Sequence, residues 1–220
     1  MTETPRSRRE RPAKPALSRK GIVAAAVAIL RSEGLRKVTM RRLAQELDTG
    51  PASLYVYVRS TDELHAAVLD ELLGTVGPAP AGGDWRERLE RVLTDCTRML
   101  LAHPDLARSA LTARPSGPHY LNLIETLLAL LAEGGVPHDR AAWGVDLLLQ
   151  HATATAAEHA GEKSPGDWQA LDGALRGASR ETHPHIAARA GRLLSGAPEA
   201  RMSWAFRALI DGIEHTAVPD

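Results

Sequence analysis

The sequence predicts an all-α protein in which a three-helix, helix-turn-helix domain precedes a C-terminal helical bundle. Three observations favour this fold. Hydrophobic residues make up 44% of the chain but aromatic residues only 4%, and β-branched runs are few, so leucine and alanine must build the core. Apolar positions recur at helical spacing along most of the chain. Capping residues, prolines and glycines mark where these segments begin and end.

The first sixteen residues differ in composition and periodicity from the helix that follows them. Residues 1–16 are rich in arginine, proline and lysine and lack periodicity, so we expect a disordered basic arm. Its basic residues either follow DNA phosphates or form a solvated tail, and the sequence leaves both readings open. A helix is predicted from about Ser18 to Glu33, and Gly34 ends it.

Residues 39–64 predict two short helices joined by a tight turn. Thr39 caps the first helix, whose inner face is Met40, Leu43, Ala44 and Leu47. Asp48, Thr49 and Gly50 form the turn, and Pro51 suits the first position of the second helix. Leu54 and Val58 face inward, and residues 60–63 form a capping box that starts a fourth helix. Such a motif presents its second helix to the major groove of DNA.

The charge distribution supports the same interpretation, although the formal net charge is zero. Residues 1–60 hold 13 Lys and Arg against 5 Asp and Glu, a net of +8, and residues 61–220 carry the balancing −8. A basic module attached to an acidic one is typical of a DNA-binding domain with a partner domain that avoids DNA.

The remainder predicts a helical bundle behind a linker. Residues 77–83, GPAPAGG, have linker composition and suggest a boundary between a DNA-binding domain with its connecting helix, 17–76, and a second domain, 84–220. A long helix is expected from His138 to about Ala160. In the last helix Met202, Phe206, Leu209 and Ile213 are spaced 4, 3 and 4, and this stripe predicts a dimer seam.

The N-terminal motif resembles the tetracycline-repressor (TetR) family of bacterial transcription regulators. The resemblance runs from Leu17 to Leu73, about a quarter of the chain. Its residues are Leu43-Ala44-Gln45-Glu46-Leu47, Leu54-Tyr55, Tyr57-Val58 and Asp62-Glu63-Leu64. Asp48 replaces the usual turn glycine and Thr61 the usual lysine, which weakens one expected phosphate contact.

The resemblance and the motif together predict a set of DNA-contacting residues. Arg41 occupies a position where the family often reaches DNA, and an arginine suits guanine, although a solvated helix face is the alternative for Arg41 and Arg42. The family contacts phosphates at the positions of Ser53, Tyr55 and Tyr57. The alternative for Tyr55 is that its side chain is partly buried in the core. Pro51, Ala52 and Val56 suit thymine methyl groups. The full predicted set is Thr39, Arg41, Arg42, Pro51, Ala52, Ser53, Tyr55, Val56, Tyr57 and Thr61.

The C-terminal part is also similar to the tetracycline repressor's own branch, in the segment ARPSGPHYLNLIETLLALLAEGG. By position that branch carries a metal-ligating histidine where this chain has Ala110, so binding of a metal–tetracycline complex is not implied. The family usually has a pocket, and a small hydrophobic organic effector is expected; a solid core or dimer seam is the alternative. The candidate lining residues are Cys96, Met99, His103, Leu127, Trp143, Leu147, Gln150, His151 and Trp168.

The resemblance and the charge pattern imply a homodimeric repressor that binds a palindromic DNA operator and is released by its effector. Two alternatives remain: a DNA-binding protein without an effector, and a helical enzyme. No GxSxG, P-loop, HExxH or Rossmann glycine pattern occurs, and the histidines lack zinc-ligand spacing, so we expect no enzyme activity, cofactor or metal. Cys96, the single cysteine, fits a reducing cytoplasm, and no apolar run is long enough to span a membrane.

Overall fold

The computed structural model describes residues 16–112, 115–158 and 165–219. Within these ranges the chain forms eleven α-helices and no β-strand, which confirms the predicted all-α class. The predicted basic arm, apart from Ala16, lies outside the described residues. None of the described helices is long and apolar enough to cross a membrane.

The chain divides into two compact units, Met1–Leu64 and His65–Asp220. The division falls inside the fourth helix, whereas the linker-like residues 77–83 lie within the second unit. The boundary suggested by local composition therefore differs from the boundary given by the contacts. A glycine- and proline-rich segment can equally form a loop between two helices of one unit.

The first unit contains α1 (Arg19–Glu33), α2 (Met40–Glu46), α3 (Pro51–Leu54) and the start of α4 (Thr61–Leu73). The Ser18 hydroxyl accepts the Gly21 N–H at 3.1 Å, which caps α1, and Gly34 ends α1 with φ of +85°. Ser60 likewise accepts the Glu63 N–H at 3.1 Å, but the Glu63 carboxylate accepts the N–H of Arg59 rather than that of Ser60. The fully buried side chains are Ile22, Ala26, Leu43, Leu54, Val58 and Leu64.

The second unit is built around α5 (Trp85–Ala102) and α8 (His138–Glu158), which pack against each other. The helices α6 (Pro104–Ala110), α7 (Pro118–Glu133) and α11 (Pro198–His215) contact both of them. Buried leucines of these helices, together with Phe206, form the core. By contrast, α9 (Pro165–Arg176) and α10 (Pro184–Leu193) pack on each other, and α10 contains no buried residue.

Part of the predicted dimer seam on the last helix is buried within this chain. Phe206 is fully buried within its own unit, and its ring meets that of His151 edge-on with centroids 5.4 Å apart. Ile213 is buried against Gly144 of α8. Only Met202 and Leu209 are partly exposed, so half of the stripe belongs to the core of one chain. Helical spacing shows that residues share a face but not which partner covers that face.

Candidate DNA interface and ligand cavity

The helix-turn-helix depends on buried contacts and on one left-handed residue. Leu43 on α2 and Leu54 on α3 are fully buried, and these two helices contact each other. Asp48 has φ of +46°, the only positive φ at a non-glycine residue in the described chain. Aspartate tolerates this conformation better than most residues, so Asp48 can stand where the family has glycine.

Most of the predicted DNA-contacting side chains are exposed together on this motif. Exposure reaches 51% for Tyr55 and 80% for Val56, which disfavours the partly buried alternative for Tyr55. Tyr57 is half-buried, and α3 is α-helical only to Leu54, after which residues 55–57 form a turn. The other exposed members are Thr39, Arg41, Pro51, Ala52, Ser53 and Thr61. The DNA contacts themselves remain a prediction.

The two adjacent arginines of α2 differ in their contacts. Arg42 is half-buried and pairs with Glu33 of α1 at 2.6 Å and with Glu46 at 2.8 Å. Hydrogen bonding to Glu33 raises the pKa of Arg42, and the same bonds lower the pKa of Glu33. Among the described residues nothing pairs with Arg41, which is exposed. Arg42 therefore joins α2 to α1 through Glu33, whereas Arg41 is exposed.

Within the second unit a cavity of about 370 Å³ lies among five helices. Its walls are mainly apolar and buried, with Leu69 and Leu73 of α4, Leu100 of α5 and Leu123 of α7 at most 6% exposed. Polar side chains come from α7 and α8. The complete lining is Leu69, Leu73, Cys96, Leu100, Ala110, Leu111, Pro115, Tyr120, Leu123, Asp146, Leu149, Gln150, Thr153 and Ala154. An apolar cavity with a few polar groups is typical of small-molecule sites.

Cys96 and Gln150 are the predicted ligand residues that line this cavity. Burial raises the pKa of the Cys96 thiol to about 12, so the thiol is neutral and acts as a small apolar wall group. The wall also includes Ala110 of α6.

The other predicted ligand residues lie elsewhere. Leu127 is fully buried in the core. The ring of His151 contacts the ring of Phe206, and burial lowers the pKa of His151. Trp168 is exposed on α9. Met99 and His103 are half-buried but are absent from the cavity wall. Residue type alone does not indicate which face of a helix a side chain occupies, and the direction of each side chain around its helix decides these positions.

Trp143 and Leu147 instead line a groove of about 670 Å³ between α8 and α11. They are 61% and 44% exposed, and the facing wall includes Leu209 and Gly212. Gly144 allows the close approach of the two helices, since a Cβ at this position would lie 2.8 Å from Ile213. The groove thus presents apolar surface on two neighbouring helices of one chain.

Asp70 of α4 is a functional candidate that the sequence did not reveal. It is only 7% exposed, and its carboxylate accepts the N–H of Tyr120 at 2.9 Å in the first turn of α7. The N-cap of α7, Gly117, has no side chain to supply this bond, and a Cβ there would overlap the Asp70 carboxylate. Asp70 therefore caps α7 from another helix. The sequence signal that could have indicated this contact is that the N-cap of α7 is a glycine, which has no capping side chain of its own.

An exposed helix-turn-helix together with an apolar cavity in a helical bundle is typical of ligand-responsive transcriptional regulators. The family model for bacterial regulatory proteins of the tetR family matches residues 22–68, and the model for the tetracyclin repressor-like C-terminal domain matches residues 77–217. The chain belongs to the tetracycline-repressor family.

Several solved structures share the fold over nearly the whole chain. A proposed transcription regulator of Streptomyces coelicolor, SCO7704, is 58% identical, covers 94% of this chain and 99% of its own, and has a TM-score of 0.81. ActR of Streptomyces coelicolor without ligand is 37% identical over 92% of this chain and 96% of its own, with a TM-score of 0.81. ActR has also been solved with actinorhodin and with (S)-DNPA.

Two further relatives match over shorter segments. A transcriptional regulator of Saccharopolyspora erythraea is 37% identical over 123 residues, which are 56% of this chain and 52% of that protein. The transcriptional repressor DrrR1 of Streptomyces coeruleorubidus is 36% identical over 56% of this chain and 46% of its own. The chain thus spans about half the length of the curated relatives it matches.

Proposed function

We propose that this chain is a homodimeric transcriptional repressor that binds a palindromic operator and leaves it when a small organic effector fills the cavity. The observation that carries the proposal is the pairing of an exposed helix-turn-helix, with Arg41 uncommitted, and an apolar cavity next to the helix that follows the motif. The relatives support it, because DrrR1 is a repressor and ActR was solved with two organic ligands.

We assign recognition of the DNA sequence chiefly to Arg41. The hydroxyl groups around α3 are assigned to phosphate contacts, which fix the position of the protein along the DNA. An arginine that reaches guanine contributes discrimination between sequences, whereas hydroxyl contacts to phosphates add affinity for every sequence. Arg41→Ala should therefore cost about 1–3 kcal/mol of operator binding and relax specificity. Tyr57→Phe should weaken binding to operator and random duplex alike.

The DNA test compares selected and random duplexes by gel shift at one salt concentration, since phosphate contacts make affinity salt-dependent. Arg91→Ala is the matched control, because Arg91 is exposed on α5, outside the motif, and its loss changes the net charge equally. Equal affinity of the unmodified protein for both duplexes would favour the alternative of a non-specific DNA-binding protein.

Dimerisation is proposed through the outward faces of α8 and α11, with Trp143, Leu147 and Leu209 at its centre. Large exposed apolar side chains on adjacent helices are typical of protein interfaces. The dimer would place two recognition helices roughly 34–36 Å apart, to meet successive major grooves. Leu209→Asp should give a monomer in sedimentation and lose operator affinity. Leu121→Asp, at a 58% exposed site on α7, is the control that should remain dimeric.

The effector signal is assigned to α4. This helix begins directly after the motif, runs without interruption from Thr61 to Leu73, and supplies two leucines to the cavity wall. It is attached to α7 by Asp70, and a Cβ at Gly74 would lie 2.8 Å from the ring of His119, also on α7. An effector that displaces the first turn of α7 therefore moves α4 as well. Because a ligand shifts an equilibrium only by its difference in affinity, tenfold release requires about 1.4 kcal/mol.

Glycine insertion next to Gly74 tests this path. It should uncouple the two sites while leaving DNA binding and effector binding intact, since neither binding surface contains Gly74. Operator affinity measured with and without a cavity-binding compound is the readout. A variant that still responds like the unmodified protein would show that α4 does not carry the signal.

A further inference from the structure

Glu63, in the first turn of α4, holds two arginines of the first unit close together. Its Oε2 atom accepts the backbone N–H of Arg59 at 2.8 Å, and its Oε1 atom accepts the guanidinium of Arg19, on α1, at 3.3 Å. The bond from the Arg59 backbone and then the bond from Arg19 lower the pKa of the Glu63 carboxyl, so this group is ionised at neutral pH. Glu63 therefore fixes the backbone of the segment that joins the recognition turn to α4.

The guanidinium of Arg59 is exposed and takes no part in these bonds. Among the described residues no hydrogen bond or ion pair holds it, and each oxygen of Glu63 already accepts one donor. Arg19, whose side chain is 55% exposed, supplies the cation that pairs with Glu63. The charge of Glu63 is thus balanced chiefly by Arg19, and the charge of Arg59 remains available at the surface.

Arg59 also lies at the edge of the proposed DNA-binding face. It is two residues from Tyr57 and two from Thr61, so its Cα lies within about 7 Å of the Cα of each. The exposed side chains of Tyr55 and Val56 precede it on the recognition turn. A duplex that meets this face brings its phosphates to the same edge, with one negative charge per roughly 1.7 Å of helix axis. A long side chain with a free cation is suited to bind them.

We propose that Arg59 binds a DNA phosphate beside the recognition segment, and that Arg19 keeps Arg59 available by neutralising Glu63. Arg59 is thus a DNA-contacting residue outside the set that the sequence predicted, and Arg19 is a positioning residue. In contrast to Arg41, Arg59 adds affinity for every sequence, because a phosphate contact carries no sequence information. The inference rests on the proposed DNA contacts around α3.

The salt dependence of DNA binding tests the phosphate contact. The affinity of the full chain for a selected duplex and for a random duplex is measured by fluorescence anisotropy between about 50 and about 200 mM salt. Each phosphate contact contributes about 0.9 to the slope of log K against log salt, so Arg59→Ala should reduce the slope by about 0.9 on both duplexes and weaken both about eightfold at 0.1 M salt. Arg59→Lys keeps the charge and should retain the slope. Arg91→Ala removes an exposed arginine of α5 and is the control that should change neither quantity.

The outcomes separate this inference from the proposed function. An unchanged slope in Arg59→Ala would overturn the inference even where the unmodified protein prefers its operator. A changed preference between the two duplexes would show that Arg59 reads bases, and it would overturn the phosphate assignment. Equal affinity of the unmodified protein for both duplexes would contradict the proposed repressor but leave this test intact, because phosphate contacts act on random DNA as well.

Arg19→Ala tests the positioning role. Without Arg19 the Glu63 carboxylate acts on Arg59 alone, and DNA binding should weaken about twofold to threefold, as expected for the loss of an exposed ion pair. In a Glu63→Gln background Arg19→Ala should have no effect, because the glutamine oxygen still accepts the Arg59 N–H but carries no charge. Equal losses in the two backgrounds would show that Arg19 contacts DNA itself and would overturn the positioning role. Thermal unfolding followed by circular dichroism shows that each variant is folded.

Discussion

Replacing Asp70 by alanine removes the capping bond that joins α4 to α7. Asp70 is 7% exposed, and its carboxylate accepts one backbone N–H at 2.9 Å at a helix N-terminus. A hydrogen bond to a charged group contributes roughly 1.5–3 kcal/mol, and the helix dipole adds about 0.3–1 kcal/mol. The variant no longer buries a carboxylate, which offsets part of the loss. We expect a net destabilisation of about 2 kcal/mol.

The packing of Gly117 makes this prediction sharper through a double-mutant cycle. In the unmodified protein Gly117→Ala inserts a Cβ that overlaps the Asp70 carboxylate, so it should cost roughly 2 kcal/mol. In the Asp70→Ala background this overlap is absent, and Gly117→Ala should cost only a small fraction of the destabilisation that it causes in the unmodified protein. The coupling energy is therefore expected to be about 1–2 kcal/mol. Backbone strain does not contribute, because φ of Gly117 is −84°.

Urea unfolding followed by tryptophan fluorescence is the suitable assay. All four tryptophans, at positions 85, 143, 168 and 204, lie in the second unit, so the signal reports the unit that contains Asp70. Glu71→Ala is the control, since Glu71 is the exposed neighbour on the same helix, and it should change stability by less than about 0.5 kcal/mol. Additive costs for Asp70→Ala and Gly117→Ala would refute the close contact between the two residues.

The remaining predictions concern helix contacts and pH. Gly144→Ala should destabilise the second unit by more than about 1 kcal/mol because a Cβ would lie 2.8 Å from Ile213, whereas Gly173→Ala on α9, with open space around it, should stabilise by up to about 1 kcal/mol in the same urea assay. Burial raises the pKa of the Cys96 thiol from 9.0 to about 12, so the unfolded state loses the thiol proton at a lower pH than the folded state does. The free energy of unfolding should therefore be unaffected below pH 9 and fall by roughly 1.4 kcal/mol per pH unit as the pH rises toward 12. Cys96→Ala should not show this loss. Burial lowers the pKa of His151 below 6.5, so its contribution is present above pH 6.5 and lost as pH falls, and His151→Gln should flatten the acid branch of the stability curve.

Local signals account for what the sequence predicted well. The predicted cap at Thr39 accepts the backbone N–H of Arg42, and Asp48 adopts a left-handed conformation in the predicted turn. These features depend on a few adjacent residues, whose hydrogen bonds are satisfied or left open within one turn of helix. The helix-turn-helix and its exposed face therefore followed from residues 39–64.

The candidate site shows where local signals end. Arg41 and Arg42 are adjacent and chemically identical, yet only the second lies near Glu33, which is nine residues away and on another helix. Met202, Phe206, Leu209 and Ile213 share a face by spacing, but their burial depends on how α11 is rotated against α5 and α8. The sequence gives no value for that rotation.

What the sequence alone determined was the helical class, the ends of most helices and the motif, because these follow from short-range capping, turn chemistry and periodicity. Only the tertiary structure decided which residues enclose the cavity, because its walls come from five helices separated by up to about 85 positions in the chain. It likewise decided that Asp70 caps α7, a bond between residues 50 positions apart. Such contacts are set by the packing of whole helices, which positions side chains that no local pattern relates to one another.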